Sequence, residues 1–138
     1  MDNNLDQSKD FLFYSSNDGR IKVQVIVDGV NDTILTTQKG MSEIFGVDVR
    51  TISYHLKSIF QSKELIEEAV IQKNWITASD GKRYLTSIYN LDAIIAVGYR
   101  VNSFRATQFR IWATSILKEY LIKGFALDDE RLKQGNHL

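Results

Sequence analysis

The segment from Thr36 to Phe60 restricts the fold of this chain more than any other stretch, because it carries two short amphipathic helical patterns separated by a turn. Apolar residues recur at spacings of three and four in both halves, which places them on one face of each helix. Gly46 lies between the patterns and can take the positive φ that ends a helix. Val47 then plugs the turn, and Asp48 is a suitable N-cap for the second helix. The segment therefore predicts a helix-turn-helix.

The second predicted helix, residues 49–60, separates apolar from hydrogen-bonding side chains. We assign its apolar residues to the interior: Val49, Ile52, Leu56 and Ile59. A recognition helix reads base edges in the major groove mainly with its N-terminal residues. We therefore predict base contacts from Arg50, Thr51, Ser53 and Tyr54. We predict phosphate contacts from Thr37, Gln38, Lys39 and Lys57.

Two other interpretations of this segment stay open. A glycine turn between two core helices is common in any helical domain. The segment also fits a protein-interaction module, of the antirepressor type, that has kept the fold but not DNA binding. The net charge of zero, from 17 basic and 17 acidic residues, favours that interpretation over general coating of nucleic acid. Segregated charge is nevertheless compatible with a sequence-specific reader.

Residues 70–89 predict a β-hairpin, because two runs of β-favouring residues flank Asp80-Gly81. That dipeptide is typical of a type I′ turn. A hairpin after a helix-turn-helix resembles the wing of winged-helix proteins. Lys82 and Arg83 beside the turn are then either phosphate contacts or solubilising cations. The aromatic residues of the hairpin are assigned to packing rather than base stacking, namely Trp75, Tyr84 and Tyr89.

The remaining patterns complete an α+β fold: a small antiparallel N-terminal sheet, the helix-turn-helix with its winged-helix-like hairpin, and two C-terminal helices. The predicted strands are residues 11–14, 21–27 and 33–35. Asn90 caps a helix in which Gly98 indicates close approach of another helix. The longest helix, residues 103–123, ends at Gly124, and its broad apolar stripe indicates either a homodimer seam or a contact with a following domain. We predict a disordered leader at 1–10, a winged-helix-like DNA-binding domain at 11–127, and a tail or the start of a linker at 128–138.

The sequence offers no pattern for catalysis, a metal or a cofactor. It contains no cysteine and only two histidines, His55 on the predicted recognition helix and His137 in the tail. It has no glycine-rich phosphate loop and no nucleophile elbow. The carboxylates of Glu64, Glu67 and Glu68 are assigned to a solvated face. Because these patterns are absent, we expect a protein that is not an enzyme. We expect it in the cytoplasm, since it has no cysteine and no apolar run approaches the roughly 20 residues that cross a bilayer.

Three segments closely resemble the virulence-associated RhuM proteins: TTQKGMSEIFGVDVRTISYHLKSIF, ITASDGKRYLTSIYNLDAIIAVGYRVNS and FRATQFRIWATSILKEYLIKGFALDDERL. The run YNLDAIIAVGYRVNS followed by QFRIWAT is the most specific part. More distantly, the chain is similar to the Bro-N type domains of phage antirepressors. The resemblance covers about residues 11–132. It implies a bacterial, cytosolic, mobile-element-associated DNA-binding or regulatory protein that continues beyond this N-terminal domain.

Together these patterns predict a domain for transcription regulation whose partner is double-stranded DNA, bound by a homodimer that forms through helix 103–123. A protein partner is the alternative. Tyr54 and His55 make the predicted reading face less cationic than in strong DNA binders.

Overall fold

An antiparallel three-stranded sheet begins the chain in the computed structural model, which describes the backbone of residues 9–135 and the side chains of residues 10–121. The strands are β1 (Lys9–Ser15), β2 (Lys22–Asp28) and β3 (Thr33–Leu35), in the order β1-β2-β3. Lys9 pairs with Asp28, so β1 begins inside the predicted leader. The rest of the leader, residues 1–8, lies outside the described residues.

The sheet buries both faces of its central strand. Alternation brings Val23, Val25 and Val27 into the main core, as the sequence pattern predicts. Ile26 points to the opposite face, and it would be exposed if that face of the sheet were open to solvent. It is instead buried with Leu35 and Ile88 in a second, smaller cluster. This cluster explains the apolar residue that breaks the polar side of β2.

Three helices follow the sheet: α1 (Gln38–Phe45), α2 (Val49–Gln61) and the short α3 (Glu67–Val70). A hairpin comes next, formed by β4 (Ile71–Thr77) and β5 (Arg83–Tyr89). The chain then forms α4 (Leu91–Val101) and α5 (Ser103–Gly135). This element order confirms the α+β fold with an N-terminal antiparallel sheet, a hairpin and C-terminal helices.

A pair of backbone hydrogen bonds ties the hairpin to the sheet. Thr36 N–H donates to Tyr89 O at 3.1 Å, and Tyr89 N–H donates to Thr36 O at 2.8 Å. Thr36 directly follows β3, and Tyr89 ends β5. The end of the strand before the helix-turn-helix therefore meets the last strand of the hairpin.

The C-terminal helices close the core over the other elements. Phe109 of α5 is fully buried, with its ring centroid 4.9 Å from that of Tyr14. Gly98 of α4 allows the predicted close approach, because a Cβ there would lie 2.6 Å from Phe45 Cζ and 2.7 Å from Ala106 Cβ. The absence of a side chain at Gly98 thus allows α4 to pack closely against α1 and α5.

The predicted end of the long helix at Gly124 is wrong, because α5 continues to Gly135. An internal glycine costs a helix only about 1 kcal/mol relative to alanine, so helix-forming neighbours can carry the helix through it. Residues 128–135, predicted as tail or linker, belong to α5. Residues 136–138, including His137, lie outside the described residues.

Candidate nucleic-acid interface

The turn between α1 and α2 has the geometry that its residues predict. Gly46 adopts the left-handed conformation, with φ 71° and ψ 37°, and its N–H donates to Ser42 O. Val47 packs against the main core. Asp48 caps α2, its Oδ1 accepting from Arg50 N–H at 2.7 Å. These local interactions fix where α2 begins and therefore which of its residues face outward.

The inner face of α2 is buried, with one exception. Ile52, Leu56 and Ile59 lie in the main core, as predicted. Val49 does not, since it remains 40% exposed. Val49 is the first residue of the helix, and Val47 already packs against the core at this end. The prediction that Val49 is buried was therefore wrong. Val49 is exposed because it lies at the very start of α2.

The outer face of α2 carries the exposed polar residues at its N-terminal end and middle. The Arg50 side chain is 94% exposed, Tyr54 is 67% exposed, and Lys57 is also exposed. Their spacing of four and three residues aligns them on one side of the helix. Thr51 and Ser53 flank this row and are half-buried. All four predicted base-contact residues therefore reach solvent, and Arg50 and Tyr54 are the most exposed of them.

Arg50 is not held by a strong ion pair. Its Nε lies 3.7 Å from Asp48 Oδ1, and both side chains are largely exposed. An exposed pair of this kind contributes little, since solvent screens it and two mobile side chains must be ordered. Arg50 is thus available to a ligand while Asp48 remains engaged as the helix cap.

The predicted phosphate contacts around the start of α1 differ in availability. Thr37 caps the helix, with its Oγ1 accepting from Gly40 N–H at 3.0 Å. Gln38 Nε2 donates to the Tyr89 hydroxyl at 2.9 Å. Lys39 is exposed. All three border a cleft of about 540 Å³ whose other wall is the hairpin, including Ser79.

The hairpin turn is not the predicted type I′ turn, which requires positive φ at both central residues. Only Gly81 has positive φ here, at 83°. Gly81 N–H donates to Ala78 O, and Ala78 N–H donates to Lys82 O at 2.8 Å. These bonds describe a three-residue loop in which a type I turn is followed by a left-handed glycine bulge. The carboxylate of Asp80 completes it by accepting from the Lys82 N–H.

A second bond at the turn affects the chemistry of Asp80. The Tyr84 hydroxyl donates to Asp80 Oδ2 at 2.6 Å. This bond, with the Lys82 N–H, holds the pKa of the Asp80 carboxyl below its ordinary value and raises the pKa of the Tyr84 phenol. The tip of the hairpin is therefore ordered by its own side chains.

The two predicted hairpin cations, Lys82 and Arg83, are exposed. The Arg83 guanidinium lies 5.5 Å from the centre of the Trp75 ring, which is a cation–π distance. Trp75 is 52% exposed and Tyr84 48% exposed, so neither side chain is buried in the core. Both contact other residues of the hairpin, whose outer half extends beyond the main core. Tyr89, in contrast, is buried as predicted.

Two other basic residues are engaged within the protein. Arg100 donates to Ser58 Oγ at 3.1 Å and to Glu64 Oε1 at 2.7 Å. Glu64 is thus an ion-pair partner rather than part of a purely solvated face. Arg110 Nε donates to the Tyr99 hydroxyl at 3.2 Å. The Arg100–Glu64 pair spans 36 residues, so no local sequence signal identifies it.

The arrangement offers hydrogen-bond donors and cations but no cluster for metal chemistry. Within residues 10–121, no group of three His, Cys, Asp or Glu side chains is placed to hold a metal ion. In the described part of the chain, no helix has both the length and the apolar character needed to cross a membrane. His55 is half-buried, its ring centroid 5.2 Å from that of Tyr54.

Comparison with known proteins gives a family. A family model described as the Virulence protein RhuM family matches residues 69–138. The match includes the hairpin, α4 and α5, and it begins after α2. No curated protein and no solved structure matches the chain. Because the family model covers half of the sequence, the chain belongs to the Virulence protein RhuM family.

Proposed function

We propose that this chain is the sequence-specific DNA-binding domain of a regulatory RhuM-family protein and reads the major groove with α2. The observation that carries the proposal is the exposed row of Arg50, Tyr54 and Lys57 on a capped helix whose opposite face is buried. A helix presented in this way by a preceding helix and turn has the shape that enters a major groove. Such a role belongs in the cytoplasm of a bacterium.

Each residue has a distinct role in the proposed complex. The Arg50 guanidinium would donate to guanine O6 and N7, the commonest specific contact in the major groove. Tyr54, Thr51 and Ser53 would contact neighbouring base edges. Lys57, further along α2, would meet phosphate.

The exposed residues at the start of α1 and on the hairpin would contact phosphate. Lys39 at the start of α1 is free to reach the backbone, and the backbone N–H groups of this helix end favour an anion. Thr37 and Gln38 would contribute mainly by holding that end in place. Lys82 and Arg83 would contact phosphate from the hairpin.

Zero net charge sets an expectation for affinity. A chain with equal numbers of acidic and basic residues gains little from general attraction to the duplex. Binding to random DNA should therefore be weak at physiological salt, and most of the useful affinity should come from the contacts of α2.

Selection of binding sites from random duplexes, followed by affinity measurements across a salt series, tests the proposal. Arg50→Ala should cost about 1–3 kcal/mol and relax specificity at one base pair. Lys57→Ala should weaken all sites similarly and reduce the salt slope by about one. Lys22→Ala, an exposed lysine on β2, is the matched control and should change neither. Failure to enrich any sequence, or equal effects of the two lysine changes, would refute the proposal.

A protein-interaction role is the second candidate, favoured by exposed apolar residues on the hairpin. Trp75 and Leu85 pair across the two strands, and each is more than half exposed. If this face binds a protein, Trp75→Ala and Leu85→Ala should abolish partner capture while Arg50→Ala leaves it intact. The DNA-binding proposal requires that Arg50→Ala weakens binding in the DNA assay while Trp75→Ala and Leu85→Ala leave it intact.

A homodimer through residues 103–123 is part of the DNA-binding proposal. Phe104 and Ile111 of α5 are exposed and lie seven residues apart, on one side of the helix. Sedimentation velocity measures the oligomeric state directly. Ile111→Lys should shift a dimer to monomer, and an unchanged sedimentation coefficient would exclude this seam.

A further inference from the structure

A cavity of about 410 Å³ lies between the β1–β2 turn and the start of α5, away from the proposed reading face of α2. Its volume falls within the range of small-ligand sites, roughly 300–1,000 Å³. Apolar surface comes from Tyr14, Ile21 and Phe104, and polar groups come from Asn17, Arg105 and Gln108. A site with apolar walls and a few polar groups is suited to a small organic molecule with one polar end.

Among the residues with described side chains, Arg105 is the one basic residue that lines this cavity. Its side chain is half-buried, and within the described residues its guanidinium makes one long hydrogen bond, 3.5 Å from Nη1 to Ile44 O. Its other N–H donors have no acceptor among those residues. A guanidinium offers five donors in a planar fork. Among the described residues, the unpaired nitrogens of Arg105 are not buried, so they reach solvent and are open to an acceptor from outside the chain.

Asp18 sets the charge that the cavity accepts. Its carboxylate lies at the rim, where it accepts from Ser16 Oγ at 2.6 Å and from Arg20 N–H at 3.0 Å. It acts on Arg105 only through space. A second negative charge on a ligand would be repelled by this carboxylate, so a singly charged anion suits the cavity better than a dianion.

Arg105 also touches the helix-turn-helix. A Cβ added to Gly46 would lie 2.6 Å from Arg105 Nη1, so the guanidinium rests directly on the turn between α1 and α2. Its bond to Ile44 O places positive charge at the C-terminal end of α1, where it is favourable. A ligand held by Arg105 would therefore contact the element that orients α2.

We propose that this cavity binds a small organic monocarboxylate. The Arg105 fork holds the carboxylate through two parallel N–H···O bonds. Asn17 and Gln108 supply further donors, and the apolar body of the ligand packs against Tyr14 and Phe104. The site lies away from the proposed base and phosphate contacts, and it shares Phe104 with the proposed dimer seam.

Phenylacetate and its neutral amide, phenylacetamide, test the proposal with the 138-residue chain. In NMR titrations near pH 7, phenylacetate should shift the Arg105 Nε–H and Gly46 N–H signals. It should bind at least tenfold more tightly than phenylacetamide. Hexanoate and hexanamide repeat the comparison with an aliphatic body, and inorganic sulfate supplies the dianion.

Arg105→Gln should remove the preference for the acid over the amide, whereas Arg110→Gln, on the same helix, should retain it. Gln108→Ala keeps Arg105 and should weaken acid binding several-fold, which provides a second variant if Arg105→Gln fails to fold. Equal binding of acids and amides, or absence of shifts at Arg105 with both carboxylates, would overturn the proposal. Binding of sulfate as tightly as the carboxylates would overturn the assigned ligand class.

Discussion

The hydrogen bonds of Asp80 show how single residues order the hairpin tip. Its two carboxylate oxygens accept from the Lys82 N–H and from the Tyr84 hydroxyl. Both bonds favour the ionised carboxylate, which is why the pKa of Asp80 lies below its ordinary value. The tyrosine hydroxyl bond is the larger of these two causes.

This geometry predicts a pH dependence of the tip. Because the Asp80 pKa is lower in the folded state than the ordinary 3.8, its stabilisation is present above that value. It is lost as pH falls through the folded pKa. Carbon-detected NMR titration should show Tyr84→Phe raising the Asp80 pKa toward the ordinary value. Thr86→Ala, which removes another hydroxyl of β5, should leave it unchanged. An unshifted Asp80 in the Tyr84→Phe variant would contradict the assignment.

At the scale of the element, α2 depends on its cap and on its buried face. The Asp48 carboxylate accepts the Arg50 N–H at the first turn, where the helix cannot supply its own acceptor. Ile52, Leu56 and Ile59 anchor the same helix to the core. The cap sets the start of α2 and the buried residues set its rotation, so both are needed to present Arg50 and Tyr54.

Asp48→Ala should lower the free energy of unfolding by about 1 kcal/mol, the usual cost of losing an N-cap. Asp48→Asn is the matched control, since it removes the charge and keeps an acceptor of similar shape. Urea denaturation followed by circular dichroism measures both. The cap assignment fails if the two substitutions cost the same.

For the whole molecule, one core joins the elements. Its buried residues come from the sheet, the helix-turn-helix, the base of the hairpin and both C-terminal helices. Phe109 lies near its centre, with Trp112 and Tyr14 within aromatic contact. A shared core of this kind indicates that the elements unfold together.

Phe109→Ala should therefore lower the free energy of unfolding by about 3–5 kcal/mol through lost burial and the cavity left behind. The two tryptophans give separate probes: Trp75→Phe leaves fluorescence from Trp112 in the core, and Trp112→Phe leaves it from Trp75 on the hairpin. Both signals should report one midpoint. Val30→Ala, at an exposed apolar position, should cost far less. Separate midpoints would mean that the hairpin unfolds independently.

The sequence predicts the turn, the cap and the exposed row of α2 because its signals are local. Gly46, Asp48 and the apolar spacing of α2 act over a few residues, so they identify the turn, the cap and the exposed row without knowledge of the fold. The hydrogen bond from the Gln38 side chain to the Tyr89 hydroxyl could not be predicted from the sequence, since the two residues are 51 positions apart. The exposure of Trp75 likewise depends on how far the hairpin extends beyond the core.

The amino-acid sequence by itself determines the helix-turn-helix, the hairpin and the side of α2 that faces outward. The energies responsible are those of caps, turns and periodic burial, which involve neighbouring residues. Only the tertiary structure decides that Thr36 meets Tyr89, that Arg100 pairs with Glu64, and that Arg105 rests on Gly46 above a cavity. These contacts join residues distant in the chain, and their partners are fixed only when the whole core packs.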